Sequence, residues 1–225
     1  MPFKTKFLVL LGLSMMLFTG CFQVIEEINL HADGSGLATL TVNLSQSKSK
    51  VASIMLLDSV NGYKVPSQQK IRQEMSEAVA YLKKSPGITN VKGSTDFSNY
   101  IATISFEFRN VANISNLTKN ILNRMKIRAT DQSSYTFNPA TLQFRRNYQH
   151  VASARTEYAK LKASDKAVFK DAVYIAIYRF ENQVTSASNR QASISRSGKA
   201  VMLRSNVLAL IDGRSNISNT IQLKK

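Results

Sequence analysis

Ile101-Ala102-Thr103-Ile104-Ser105-Phe106-Glu107-Phe108 is the stretch that decides the fold. Ala102, Ile104, Phe106 and Phe108 alternate with Thr103, Ser105 and Glu107, the period of a strand with one face buried. Working backwards, residues 88 to 95 read as its strand partner, with a turn at Asp96 to Asn99. Before them, Ile71, Met75, Val79 and Leu82 lie four, four and three residues apart among polar residues, which predicts a helix. Pro66-Ser67 starts that helix and Pro86-Gly87 ends it. Further back, Val24 to Leu30 and Leu37 to Leu44 are strand-like, and Asp33-Gly34-Ser35-Gly36 supplies the turn of a hairpin. A short helix is expected between them and Pro66, around Lys50 to Ser59.

Working forwards, Ile114, Leu117, Ile121, Leu122 and Met125 predict a second amphipathic helix. A hairpin is expected from Tyr135 to Tyr148 around Asn138-Pro139. A helix follows with Ala154, Tyr158 and Leu161 inward, broken at Ser164-Asp165 and resumed to Ala172. Val173 to Phe180 is apolar on both faces, as a buried central strand would be, with Tyr174, Tyr178 and Phe180 packed under a helix. The end is strand-like, turning at Ser197-Gly198 and Asp212-Gly213. The expectation is an α+β fold in which antiparallel hairpins pack against three or four helices. A boundary between residues 21–128 and 129–225 falls near Ala129 to Ser134, with the second half either separate or continuous with the first.

The amino terminus carries an address. Lys4 and Lys6 precede an almost uncharged run from Phe7 to Phe18, shorter than the roughly 20 apolar residues that span a bilayer. That is the layout of a secretory signal peptide over residues 1–20. Leu17-Phe18-Thr19-Gly20-Cys21 resembles the lipobox of bacterial lipoproteins, although Phe18 stands where Leu, Val or Ile is usual. The resemblance implies cleavage before Cys21, lipid on its thiol and attachment to a membrane. Cys21 is the single cysteine, so no disulfide and no thiolate metal cluster can form within the mature chain. Phe22 follows it, where Asp would have resembled the inner-membrane retention signal of enteric bacteria, so the outer membrane is the expected address.

The charge is lopsided. Residues 21–118 hold nine Lys and Arg against eight Asp and Glu, whereas residues 119–225 hold nineteen against six. So basic a half usually indicates nucleic acid, which the export signal argues against. Anionic lipid head groups, lipid A phosphates, acidic glycans or an acidic envelope protein are the partners expected instead, or the charge serves only to keep a membrane-tethered protein soluble. Arg155, Lys162, Lys166 and Lys170 are spaced seven, four and four apart. On one continuous helix they would form a basic stripe suited to anionic head groups, or simply a solvated face.

The lipobox, the hairpin carrying Asp33-Gly34-Ser35-Gly36, the helix after it, Gly87-Ile88-Thr89-Asn90-Val91 and the strand to Phe108 together resemble the LppM-like domain of bacterial lipoproteins. The resemblance covers residues 21 to 126. It implies an envelope protein built as a sandwich of β-hairpins and helices, and it lends no catalytic residue.

Catalytic patterns are missing from the sequence. His31 and His150 are the only histidines, and neither has a second ligand at metal spacing. No HExxH and no G-x-S-x-G occurs. Ser197-Gly198-Lys199 ends like a phosphate loop, but Ser193 stands where glycine is needed and Ala200 where Ser or Thr is. Asp33 is the one acidic residue of its turn, too few for calcium. Glu74 and Glu77 lie on the polar side of a helix, and Glu26 and Glu27 point to opposite faces of a strand. No metal or cofactor is expected. The function expected is a non-catalytic, lipid-anchored binding or assembly role in the cell envelope. The alternatives are an envelope hydrolase acting on glycan or lipid and a structural accessory of a secretion or motility complex.

Overall fold

The computed structural model describes residues 22–60, 62–115, 117, 120, 131–166 and 169–225. The expected leader and Cys21 lie outside the described residues. β1 (Gln23–Leu30) and β2 (Gly36–Asn43) form the first hairpin. In its turn Gly34 takes φ 86°, and Asp33 accepts hydrogen bonds from the Ser35 hydroxyl at 2.6 Å and the Ser35 amide at 2.9 Å. Those two bonds hold the Asp33 carboxyl below its ordinary pKa. They give the carboxylate a turn-forming role.

A 3-10 turn leads into α1 (Lys48–Ile54), which stops earlier than the sequence suggests. The chain then makes a two-residue ladder of β3 (Ser59–Val60) and β4 (Tyr63–Lys64). α2 (Gln68–Lys83) is the long helix, and the Ser67 hydroxyl caps it by accepting from the Lys70 amide. It crosses β5 (Ile88–Asp96) so closely that a Cβ on Gly93 would stand 2.7 Å from Val79 and 2.8 Å from Met75. β6 (Ile101–Phe108) is the deciding strand of the sequence. Ile114 closes a 3-10 turn from Val111, capped reciprocally by Asn110 and Asn113, and Leu117 is buried. The rest of the second expected helix falls outside the described residues.

The second half begins with the expected hairpin, β7 (Asp131–Asn138) and β8 (Gln143–His150). α3 (Ser153–Lys160) ends where Leu161 turns extended, before the short α4 (Ala163–Lys166). The break therefore comes at Leu161 and not at Ser164-Asp165. β9 (Val173–Phe180), β10 (Val184–Ala187), β11 (Ala192–Ile194) and β12 (Ala200–Asn206) follow. α5 (Val207–Ile211), capped by the Asn206 side chain, is an addition before the Asp212-Gly213 turn that the sequence pattern does not announce. β13 (Asn219–Leu223) ends the fold.

These strands make an α+β architecture with a seven-stranded sheet, β11-β12-β9-β1-β2-β6-β5, and a four-stranded sheet, β10-β13-β8-β7. The large sheet is mixed, because β1 runs parallel to β9 from Gln23 beside Val173 to Leu30 beside Phe180. Strands from both halves of the chain thus share one sheet. Its inner face carries Ile28, Leu30, Ala38, Ile104, Phe106, Tyr178 and Leu203. α2 covers this face over β5, and the small sheet covers it over β9. Phe144 of the small sheet stacks 4.9 Å from Tyr178 and 5.6 Å from Phe180. Tyr174, Tyr178 and Phe180 therefore pack beneath a second sheet and not beneath a helix, since the β7–β8 hairpin occupies that place.

Candidate functional site

Between the two sheets lies a charged cluster. Along β8, Phe144 and Arg146 point inward while Arg145 and Asn147 face solvent. The pleat thus buries a guanidinium, and Arg146 is 2% exposed. Opposite it, Glu26 occupies the inward register of β1, two residues before Ile28. Arg146 Nη1 donates to Glu26 Oε1 at 3.3 Å, to the Tyr174 hydroxyl at 2.7 Å and to the Tyr178 hydroxyl at 2.8 Å. Tyr135 and Tyr174 donate to Glu26 Oε2 at 2.9 and 2.8 Å, and Tyr178 donates to Oε1 at 3.3 Å. The guanidinium also lies over the Tyr135 and Tyr174 rings, 5.4 and 5.3 Å from their centroids.

The electrostatics fix the protonation states of the donors. Burial raises the phenol pKa values of Tyr135, Tyr174 and Tyr178 well above 10, against the pull of Arg146. Burial works against the Arg146 charge, but Glu26 and the surrounding phenols more than offset it, so the guanidinium stays protonated. A carboxylate offers about four lone-pair directions, and the guanidinium and three phenols take all four around Glu26. A base needs a free lone pair and a nucleophilic phenol needs a lowered pKa. The cluster has neither, and chemically it is an interlock between the sheets.

The other acidic and histidine candidates lie elsewhere. Glu27, on the outer face of β1, pairs with Arg179 of β9. Glu74 pairs with Lys70 at 3.6 Å, and Glu77 accepts from Gln73 at 2.9 Å. His150 Nε2 is 2.9 Å from the Ile211 carbonyl oxygen. His31 Nδ1 is 3.4 Å from the Ser35 hydroxyl. Among the described residues no group of three His, Cys, Asp or Glu is placed to hold a metal ion.

The four basic residues are divided. Arg155 is exposed on α3, Lys162 lies in the break, Lys166 ends α4 and Lys170 precedes β9. They do not lie on one helix and so make no single helical stripe. Lys166 folds back, donating to the Ala159 carbonyl at 2.9 Å with its ammonium 5.7 Å from the Tyr158 ring centre. The segment is tied to the start of the described chain. Phe169 meets Phe22 edge-on at 5.7 Å and Tyr158 at 5.7 Å, and the Val173 amide donates to the Phe22 carbonyl at 3.0 Å. Phe22, the first described residue, thus packs on the basic segment through Phe169.

No protein-family model matches the chain, and no curated protein does. Among solved structures, the chain is similar to the folded domain of Mycobacterium tuberculosis LppM, determined by NMR. The two are 14% identical over 92% of each chain, with a TM-score of 0.48. Among the described residues, no helix is long and apolar enough to cross a membrane.

The interlock is legible in the sequence only in part. There Arg146 is one charge in a basic half, and Glu26 one of a pair on opposite faces. The signal that could have found it is a charge in the apolar register of each strand, Glu26 before Ile28 and Arg146 after Phe144. Two buried charges of opposite sign in such registers call for each other.

Proposed function

We propose that the protein is a lipid-anchored component of the bacterial cell envelope that works by binding. Its attachment is lipid on Cys21, on the outer membrane by the reading of Phe22. Its contact surface is the basic segment holding Arg155, Lys162, Lys166 and Lys170, directed at anionic lipid, lipid A phosphates or an acidic envelope protein. The observation that carries this reading is the packing of Phe22 on Phe169. A lipid on the neighbouring Cys21 brings those cations to head-group level, where each adds about 1 kcal/mol of attraction. The fully engaged carboxylate of Glu26 supports binding over hydrolysis, because the buried charged cluster between the sheets offers no free acid or base.

Two measurements test it. Cys21→Ser should move the protein out of the membrane fraction, and equal membrane retention by wild type and variant refutes the anchor. Reversal of all four cations to Glu should weaken retention on phosphatidylglycerol vesicles by more than about tenfold at low salt. Unchanged retention removes the basic segment as the contact surface. Crosslinked pull-down from solubilised membranes then separates a lipid partner from a protein one.

A further inference from the structure

The most exposed large apolar residues lie in the chain between α1 and α2. Leu56 is 87% exposed, Leu57 52% and Tyr63 57%. A leucine pair held out in water beside an exposed tyrosine has no role in the core, and it is unusual on a polar surface. Its place in the fold suggests its use. Gln23 at the start of β1 pairs with Asn43 at the end of β2, and Asn43 pairs with Ile101 at the start of β6. Val173, the first residue of β9, lies beside Gln23. One end of the large sheet therefore carries Phe22, the basic segment before β9 and the point where the chain leaves β2. There the Leu44 amide donates to the Tyr100 carbonyl at 3.0 Å. The chain returns to the same end, since Arg72 in the second turn of α2 lies 4.8 Å from the ring centre of Phe97, in the β5–β6 turn. The segment holding Leu56 and Leu57 thus leaves from and returns to the end of the sheet that carries Phe22.

Its flanks have the charge a bilayer selects. Lys48 and Lys50 on α1 and Lys64 on β4 are exposed, against the carboxylates of Asp58 and of Asp96, which feels Lys48. Apolar side chains ringed by lysines are the composition of a segment lying in the interface, with its apolar groups about 5–10 Å into the head-group and acyl boundary. Tyr63 fits the same depth, since an amphipathic ring prefers head-group level.

We infer that Leu56, Leu57 and Tyr63 enter an anionic phospholipid bilayer beside the lipid anchor. Together with the acyl chains they give the protein a second point of attachment and a fixed orientation. The inference rests on the anchored reading of Cys21. It commits the apolar tip to lipid, so a second copy of the chain or another protein seated there would overturn it.

The chain contains no tryptophan, so Leu57→Trp is a clean depth reporter. The full chain, purified from membranes with its lipid, is reconstituted in mixed phosphatidylglycerol and phosphatidylcholine vesicles and floated on a density gradient. Indole emission from the Leu57→Trp variant should shift to the blue, and acyl-brominated lipid should quench it at least about twofold, consistent with interfacial depth. A His31→Trp reporter, at the opposite end of β1, should be unaffected. Adding Leu56→Asp to Leu57→Trp, at an exposed site that leaves the core intact, should abolish the quenching. Flotation with unquenched emission from Leu57→Trp, or quenching that survives Leu56→Asp, overturns the insertion while leaving the anchor standing. Failure to float refutes the anchor, and the insertion with it. Blue-shifted but unquenched emission with self-crosslinking assigns the tip to a second copy and overturns the proposal.

Discussion

Arg146 and Glu26 come from different sheets, so each stabilises the fold only while the other is present. A buried ion pair is weak evidence of net stability, but removing one partner strands a charge. Arg146→Met or Glu26→Leu alone should therefore cost about 3 kcal/mol in urea unfolding, the low end for a buried pair because Glu26 keeps 17% side-chain exposure. Glu26→Leu with Arg146→Met should cost less than the sum of the two single changes, and additive losses would contradict a coupled pair. The phenols make a second prediction with a definite sign. Tyr135, Tyr174 and Tyr178 have folded pKa values raised above the unfolded value near 10. Their contribution is complete below that pH and is lost as pH rises towards their folded values. Phenolate absorbance should therefore show three of the eight tyrosines ionising only together with loss of near-ultraviolet dichroism. Eight phenols titrating near 10 with the fold intact would refute the cluster.

Elements are most legible where a single rule governs them. Period-2 alternation foretells β6, the 3.6-residue period and the Ser67 cap foretell α2, and Asp33-Gly34-Ser35-Gly36 foretells the first turn. What the alternation does not show is how closely β1, β2 and β6 approach one another at Gly36. A Cβ there would lie 2.0 Å from the Asn29 carbonyl oxygen and 2.8 Å from the Phe108 ring. Gly36→Ala should therefore destabilise by about 1–3 kcal/mol through overpacking, read as a lower urea midpoint, and an unchanged midpoint would mean the hairpin can open there. Less legible are elements set by distant partners. The spacing of Arg155, Lys162, Lys166 and Lys170 suits one helix, yet the chain breaks at Leu161, and Phe169 beyond the break packs on Phe22. Tyr174, Tyr178 and Phe180 belong to the core as their pattern says, but a strand's own residues do not say whether a helix or a sheet covers them. The parallel pairing of β1 with β9 is illegible for the same reason, since it joins Gln23 to Val173 and so on along strands from opposite halves of the chain.

At the scale of the molecule, that pairing decides whether the two halves can fold separately. In a chain ending at residue 128, β1 would become the edge of a four-stranded sheet, with its ladder to β9 open along eight residues. Its inner face would lose the small sheet, exposing Ile28 and Leu30, and Glu26 would face no guanidinium. The remaining half could still bury Leu82 of α2 against Ile88 and Phe106, so collapse is expected without a unique fold. Residues 129–225 fare no better, because β9 would keep β12 on one side and lose β1 on the other, and Arg146 would be buried unpaired. The mature chain should therefore unfold in one transition, with near- and far-ultraviolet dichroism coincident in urea. Fragments 22–128 and 129–225 should each give poorly dispersed amide spectra alone and regain dispersion when mixed, since the β1–β9 ladder and the Glu26–Arg146 contact form only between them. A well-dispersed spectrum from either fragment by itself would show that half to be an autonomous domain, with the central ladder an interface between domains and not the spine of one sheet.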